Sequence, residues 1–488
     1  MIRPSTGSRW FALVVLCAGM LMIILDQTIV NVALPAIQSD LGFTQTGLAW
    51  VVNAYLIAFG GLLLLAGRLG DLIGRKRVFV VGLTAFTAAS LLCAAATSAP
   101  LLVAARFVQG VGGAMATAVT LGMVVTMFRE PAEQARAIGV FGFVAAAGAS
   151  IGLLAGGLLT QALNWHWIFL VNLPIGIAAV VLANRLVPAD RGIGLGAGAD
   201  ITGALLVTAA LMLGVYTIVK VEVHGWTSVH TLGLGAVAAG LLGAFIMRQV
   251  RAANPLLPLR VFRSRAVTGA NLVQVLMVAG MFGMFFMGTL YMQRVLGYDA
   301  LRIGLAFLPV AVAIGTLSVG FSARLSARFG ERAVLLAGLA LVLVGLVLFT
   351  RVPVDGRYLT DLLPALLPLG VGAGLSFPML MALAMSGATP GDAGLASGLV
   401  NTSAQVGGAL GLAVLATLST SRSADLLAGG TPPAAALTSG FHLAFGIGAA
   451  LVAAAIVLTA TLLPPAAAVA KAPSHAAADD RVPVPDPA

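Results

Sequence analysis

Apolar stretches of about 20 residues recur along almost the whole of this 488-residue chain, and they restrict what it can fold into. A helix of that length crosses about 30 Å of hydrocarbon, and it satisfies its own backbone hydrogen bonds there. Of the residues, 60% are hydrophobic and only 9% are charged, whereas about 25% of a soluble domain is charged. The sequence therefore predicts an all-α polytopic membrane protein.

Fourteen apolar segments are predicted to be transmembrane helices. Their approximate bounds are 11–35, 47–67, 78–97, 101–127, 137–160, 166–187, 200–219, 230–248, 267–292, 303–323, 333–350, 361–386, 395–418 and 440–463. If the N-terminus is cytoplasmic, the cytoplasmic side holds 20 of the 27 Lys and Arg residues and the outer side holds six. This asymmetry fits the positive-inside rule, so we predict that both termini are cytoplasmic.

The composition also limits the partners and the compartment. The net charge of +10 is distributed between apolar spans, so it reflects membrane topology, and no nucleic-acid partner is expected. Cys17 and Cys93 lie inside spans and the five histidines lack ligand spacing, so neither a disulfide nor a metal site is expected. The excess of Arg over Lys, with abundant Ala and Gly, is typical of a GC-rich bacterial genome, which indicates a bacterial cytoplasmic membrane.

The sequence lacks the signals that two other classes of protein would carry. A nucleotide-driven pump would carry a Gly-x4-Gly-Lys-[Ser/Thr] loop, and the sequence has none. A membrane enzyme would need clustered His, Asp, Glu or Ser at membrane depth, and no such cluster is visible. We therefore expect neither a cofactor nor an enzymatic activity.

One carboxylate, Asp26, lies inside the first apolar span. A charge in a bilayer core is costly and usually functional, and the other acidic residues can be placed in loops, in the tail or at helix ends. Asp26 is therefore the leading candidate to carry protons. The alternative is a structural carboxylate that is hydrogen-bonded to Arg106 or Asn31.

An internal repeat divides the chain. The segments 67–77 and 323–332 align an Arg, a Leu and a Gly at one constant offset. If spans seven and eight are an insert, both segments follow the second helix of a six-helix half. We therefore predict an N-terminal six-helix bundle at 1–187, a linker and two inserted helices at 188–250, a C-terminal six-helix bundle at 251–463, and a disordered cytoplasmic tail at 464–488.

The segment 67–77 resembles the signature loop of the major facilitator superfamily. The residues that carry this resemblance are Gly67, Arg68, Asp71, Gly74, Arg75, Lys76 and Arg77. The resemblance implies a gating loop that latches the cytoplasmic side and governs alternating access. The alternative is a basic loop that only sets the topology.

Two more segments resemble motifs of the same superfamily. Residues 106–110 resemble its Arg-x-x-Gln-Gly motif, which implies that Arg106 takes part in proton coupling; the alternative is that Arg106 snorkels outward. The glycines of the fifth span resemble the antiporter motif, which marks exporters in this superfamily. These glycines are Gly139, Gly148, Gly152, Gly156 and Gly157. The proline of that motif is replaced by Leu153.

Three further segments, 25–35, 165–176 and 254–259, resemble the fourteen-helix drug/proton antiporters (the EmrB/QacA-like branch). The whole resemblance covers residues 10–463 and implies two six-helix bundles plus two inserted helices. It also implies a monomeric, proton-coupled antiporter that exports drugs, antibiotics or related amphipathic small molecules. The alternative is a proton-coupled importer or exporter of a specific metabolite.

A substrate cavity is predicted from polar, Met and Phe residues inside spans. The candidates are Asn31, Asn53, Gln109, Asn271, Gln274, Met281, Phe285, Asn401 and Gln405. Thioethers and aromatic rings suit adaptable apolar binding, but amides in membranes also join helices and a lipid-facing helix can carry the same residues. Because membrane acids are scarce, neutral, weakly charged or zwitterionic substrates are favoured.

Overall fold

The computed structural model describes residues 6–128, 130–190, 192, 194, 200–386 and 393–463, and most of this part is helical. The first seven helices are α1 (Thr6–Leu41), α2 (Gln45–Ile73), α3 (Arg75–Ala94), α4 (Ala99–Met127), α5 (Pro131–Ala162), α6 (Trp167–Leu170) and α7 (Asn172–Leu186). Two more are α8 (Ile201–His224) and α9 (Val229–Arg251). The last seven are α10 (Arg265–Arg294), α11 (Ala300–Thr316), α12 (Ser322–Phe329), α13 (Glu331–Phe349), α14 (Leu363–Ser386), α15 (Ala393–Ala428) and α16 (Pro433–Leu462).

Membrane-crossing length is common among these helices. Within the described residues, 12 helices are long and apolar enough, by length and composition, to cross a membrane. Two others lie at predicted spans five and ten: α5, with 32 residues, and α11, which is apolar but shorter. The all-α polytopic architecture is therefore confirmed, while the count of fourteen spans stays a prediction. The predicted tail at 464–488 lies outside the described residues.

The turn between α2 and α3 is tighter than the sequence predicts. Instead of a loop over 67–77, α2 runs to Ile73 and α3 begins at Arg75, with only Gly74 between them. Gly74 has a φ of 101°, a backbone conformation that favours glycine. Gly330 joins α12 to α13 in the same way, with a φ of 83°. In both repeat segments, a single glycine with a positive φ therefore separates the two helices.

The first seven helices and the last seven pack in matching patterns. Helix α3 packs on α4 as α13 packs on α14, and α1 packs on α5 as α10 packs on α15. Helix α3 also contacts α7 as α13 contacts α16. This correspondence supports two related bundles, although the domain bounds drawn from the sequence stay predictions.

The two bundles meet mainly along two helix pairs, α2 with α15 and α5 with α11, and α1 also contacts α10. Helix α8 contacts both α2 and α15, and α9 packs on α8. Asp200 precedes α8, and its buried carboxylate accepts hydrogen bonds from Arg248 and Gln249 at the end of α9. The Gly203 amide donates a third hydrogen bond to this carboxylate, at 2.9 Å. The α8–α9 hairpin is therefore closed at its base by this carboxylate and its hydrogen-bond donors.

Candidate functional site

Asp26 is fully buried in α1 and accepts hydrogen bonds from three side chains. Its Oδ2 accepts from Arg106 Nη1 at 2.6 Å. Its Oδ1 accepts from Gln109 Nε2 at 2.8 Å and from Asn172 Nδ2 at 3.0 Å. A buried carboxylate needs such donors and a counter-charge, and this arrangement supplies both.

Arg106 faces the interior of the first bundle and is 1% exposed. Besides Asp26, its Nη1 donates to Gln109 Oε1 at 2.6 Å and its Nε donates to the Val51 carbonyl of α2 at 3.0 Å. The guanidinium carbon lies 4.4 Å from the centre of the Tyr55 ring, a cation–π distance. Arg106 therefore does not snorkel outward. The acid is bonded to Arg106 and not to Asn31, whose amide donates to the Gln27 carbonyl.

Two members of the cluster were not predicted from the sequence. Ser90 of α3 accepts from Gln109 at 2.8 Å and from Asn172 at 3.3 Å. Asn172 is the first residue of α7, and the break between α6 and α7 at Val171 lies immediately before it. The resemblance of segment 165–176 could have pointed to Asn172 as a site residue. Nothing in the sequence distinguishes Ser90 from any other serine in a span.

This arrangement can couple protonation to packing. Protonation of Asp26 would remove the negative partner of Arg106 and leave a buried cation with neutral acceptors only, which is costly. Because Arg106 also binds Val51 and stacks on Tyr55, the change would be transmitted to α2. Helix α2 in turn packs on α15 of the other bundle.

The predicted gating residues lie at the α2–α3 turn. Asp71 pairs with Arg75 at 3.1 Å, and Arg75 also donates to the Gly122 carbonyl of α4. The backbone amides of Arg75 and Lys76 donate to the carboxylate of Asp190 at 2.7 and 3.1 Å. Of the remaining predicted residues, Gly67 faces α4, Arg68 is half-buried in α2 and Arg77 is exposed in α3. The structure thus adds Asp190, from the segment after α7, to this turn.

The glycines of α5 form a close contact with α1. A Cβ atom on Gly148 would lie 3.0 Å from Leu21, and one on Gly156 would lie 2.7 Å from the Ile29 carbonyl oxygen. A Cβ on Gly152 would collide with Thr28. Gly157 instead faces the Ala300 carbonyl at the start of α11, at 2.7 Å. The surroundings of Gly139 and the side chain of Leu153 lie outside the described residues.

The predicted cavity residues differ in their contacts and in their burial. Gln109 belongs to the Asp26 cluster, and Asn271 accepts from Ser403 at 2.8 Å. Gln405 lies against Gly60 of α2. Of the others, Asn31 is half-buried, Asn53, Gln274 and Met281 are buried, Asn401 is exposed, and Phe285 is half-buried with its ring 5.3 Å from that of Phe307. The shared substrate cavity therefore stays a prediction. In the part of the chain described here, no group of three His, Cys, Asp or Glu could hold a metal ion.

Comparisons with known proteins identify the family. The family model of the Major Facilitator Superfamily matches residues 16–412. The chain belongs to this superfamily. This transporter is 41% identical over 456 residues to the puromycin resistance protein of Streptomyces alboniger, covering 92% of this chain and 90% of the relative. It is 38% identical over 468 residues to the cephamycin export protein of Amycolatopsis lactamdurans, covering 94% and 93%.

A solved structure supports the fold of this transporter. The bacterial homolog of the human lysosomal transporter Spinster, in an inward-facing and unoccupied conformation, aligns with a TM-score of 0.64 over 94% of this chain and 98% of the other. The two sequences are 14% identical, so the likeness concerns the fold alone.

Proposed function

We propose that this protein is a proton-coupled antiporter that exports antibiotics or related amphipathic small molecules from a bacterial cell by alternating access. The observation that carries the coupling is the buried Asp26–Arg106 pair at 2.6 Å. Membrane carboxylates of this kind serve as proton relays in transporters. The substrate class is supported by relatives named for puromycin resistance and cephamycin export.

The cycle follows from the contacts of the pair. Asp26 takes a proton from outside, which weakens its bond to Arg106 and loosens the hold of Arg106 on α2. The α2–α15 contact then changes, and the transporter turns inward. Release of the proton to the cytoplasm restores the ion pair as a new substrate molecule is loaded. Asp26 is the coupling residue of this cycle, and Arg106 reports its charge state to α2.

The fourteen-helix branch is part of the same proposal. The inserted hairpin α8–α9 and the helices at all fourteen predicted positions support it. The predicted topology, with both termini cytoplasmic, places the α2–α3 turn inside the cell.

A second candidate is the exporter of one metabolite. Relatives named for single compounds, such as the cephamycin exporter and the tetracenomycin C resistance and export protein of Streptomyces glaucescens, favour it. A susceptibility panel in an efflux-deficient host separates the two candidates. Protection against several unrelated compounds supports broad export, and protection against one compound supports the narrow function.

The coupling is tested with Asp26→Asn in proteoliposomes under an imposed pH gradient. The asparagine keeps the shape and one acceptor oxygen, but it cannot exchange a proton. We expect gradient-driven efflux to be lost, while exchange of labelled for unlabelled substrate without a gradient persists. Asp425→Asn, an exposed carboxylate of α15, is the control. Gradient-driven efflux at the parent rate in Asp26→Asn would refute the coupling role.

A further inference from the structure

A single arginine joins the two bundles at the end opposite the α2–α3 turn, which the predicted topology places outside the cell. Arg294 is the last residue of α10. Its Nη1 donates to Gln45 Oε1 at 3.1 Å, and its Nη2 donates to Gln38 Oε1. Gln38 is itself oriented by a bond from its Nε2 to the Phe43 carbonyl. One cation of the second bundle thus holds the outer ends of α1 and α2.

A cavity of about 480 Å³ opens beside this contact. Its lining includes Gln38 and Ser39 from α1 and Gln293 and Arg294 from α10. Helices α1 and α10 are the first helices of their bundles and contact each other. The cavity therefore lies on the interface between the bundles, where a compound leaving along that interface would pass.

The hydrogen-bond partners of Arg294 are neutral, although the residue is suited to bind a charge. Both recorded acceptors are amide oxygens, and Arg294 belongs to none of the ion pairs found among the described residues. A carboxylate binds a guanidinium with two charge-assisted bonds, which are about twice as strong as bonds to neutral acceptors. An anion entering the cavity can therefore displace the two glutamines.

We propose that Arg294 is the centre of an outer binding site for a carboxylate, and that Gln38 and Gln45 occupy this site when the outer end is closed. A carboxylate bound there favours the open outer end, because it replaces the two bonds that hold the bundles together. Within the proposed function, on which this inference rests for its cargo, the carboxylate is that of an exported zwitterion or acid.

The test measures the separation of the outer ends directly. Spin labels are placed on Gln161→Cys at the end of α5 and Asp355→Cys in the loop before α14, both exposed positions. Cys17 and Cys93 are buried, which favours labelling of the introduced cysteines. Distances are measured by double electron–electron resonance on the full-length protein in lipid, with sodium benzoate as the anionic probe and benzamide as its neutral counterpart.

The matched variants are Arg294→Gln and Arg302→Gln. Arg302, which the predicted topology places outside, has 69% of its side chain exposed, and its one ion pair among the described residues is with Asp299 in its own turn. We expect Arg294→Gln to raise the ratio of open to closed outer ends about fivefold, as for the loss of one or two hydrogen bonds, and Arg302→Gln to leave it unchanged. Benzoate should raise this ratio in the parent and in Arg302→Gln, but not in Arg294→Gln, and benzamide should have no effect.

Two results would overturn the inference. Identical distance distributions in Arg294→Gln and the parent would show that Arg294 does not hold the outer end closed. A benzoate response that persists in Arg294→Gln would place the anion site elsewhere. Drug efflux is not part of this measurement. If the protein proves not to export drugs but the benzoate response depends on Arg294, the binding site is still supported.

Discussion

At the residue scale, Arg106 connects the acid of α1 to two neighbouring helices. Its guanidinium binds Asp26 and the Val51 carbonyl, and it lies over Tyr55 and, at 5.8 Å, near Phe169 of α6. A guanidinium in this position contacts the carboxylate of α1 and the backbone of α2 at the same time. The geometry of the guanidinium, and not only its charge, is therefore expected to matter for transport.

Arg106→Lys tests this expectation. A lysine keeps the charge beside Asp26, but its single ammonium cannot reproduce the planar set of donors or stack in the same way. We expect proton-driven efflux to fall about tenfold or more, as for the loss of a charged buried hydrogen bond worth about 1.5–3 kcal/mol, with normal amounts of protein in the membrane. Efflux is measured in inverted vesicles. The control is Arg302→Lys, and equal losses in both variants would contradict the prediction.

The sequence predicts the charged pair of this site but not all the polar side chains that surround it. Asp26 and Arg106 stand out because a charge in an apolar run is rare and costly. Ser90 and Asn172 do not, since a small polar residue in a span is equally compatible with helix packing. Only the packing of α3 and α7 against α4 and α1 brings them to the carboxylate, and no pattern within one segment encodes that contact.

At the element scale, α1 and α5 pack through glycines at every fourth position of α5. Gly148, Gly152 and Gly156 lie on one face of the helix and let the backbones approach closely. The glycines that resemble the antiporter motif thus also serve close helix packing. The helix that carries Asp26 is held by the α3, α4 and α7 side chains on one face and by this glycine face on another.

Gly152→Leu is expected to disrupt the α1–α5 contact. Any Cβ at this position collides with Thr28 and lies 2.9 Å from the Leu25 carbonyl, so α1 must shift and move Asp26 with it. Overpacking of this kind typically costs about 1–3 kcal/mol, and we expect a lower thermal midpoint in detergent and reduced efflux. Gly214→Leu in α8 is the control, because nothing lies within 4 Å of its Cβ position. Equal thermal midpoints for the two variants would argue against the prediction.

At the α2–α3 turn, the motif identified the residues but did not predict the backbone conformation. The sequence indicates a basic loop, whereas the structure continues both helices to a single glycine. Because α3 begins so abruptly, its first amides need acceptors, and Asp190 provides them from 115 positions away in the chain. A cap from so remote a segment has no local signal in the sequence.

Asp190→Ala tests whether this cap supports the gate. Loss of a helix N-cap costs about 0.5–2 kcal/mol, here at the turn that also holds the Asp71–Arg75 pair. We expect the efflux rate to fall severalfold, with Asp190→Asn keeping most of the activity because its amide oxygen still accepts. Efflux at the parent rate in Asp190→Ala would show that transport does not need the cap, and Asp425→Ala serves as the control.

At the scale of the whole molecule, α8 spans the junction between the bundles. Its Thr208 lies against Gly61 of α2, and its Ile218 carbonyl accepts a hydrogen bond from Thr417 of α15 at 3.3 Å. Hydropathy and charge placed this helix correctly in the sequence, yet they could not show which helices it touches. Since α2 and α15 belong to different bundles, any sliding of one past the other must release one of these two contacts.

This position leads to a prediction about cross-links. One cysteine pair, Gly61→Cys/Thr208→Cys, cross-links α8 to α2. A second pair, Ile218→Cys/Thr417→Cys, cross-links α8 to α15. Either cross-link alone leaves the other contact free to slide, so each single variant should retain at least about half of the efflux. Locking both pairs ties α2 to α15 through α8, and we expect efflux to stop. Efflux is measured in proteoliposomes before and after oxidation with copper phenanthroline, which closes each cysteine pair into a disulfide, and samples re-reduced with dithiothreitol are the controls. Transport that survives in the variant with both cross-links would mean that the bundles move without sliding at α2–α15. Transport that is lost with either single cross-link would mean that α8 itself must move relative to each bundle.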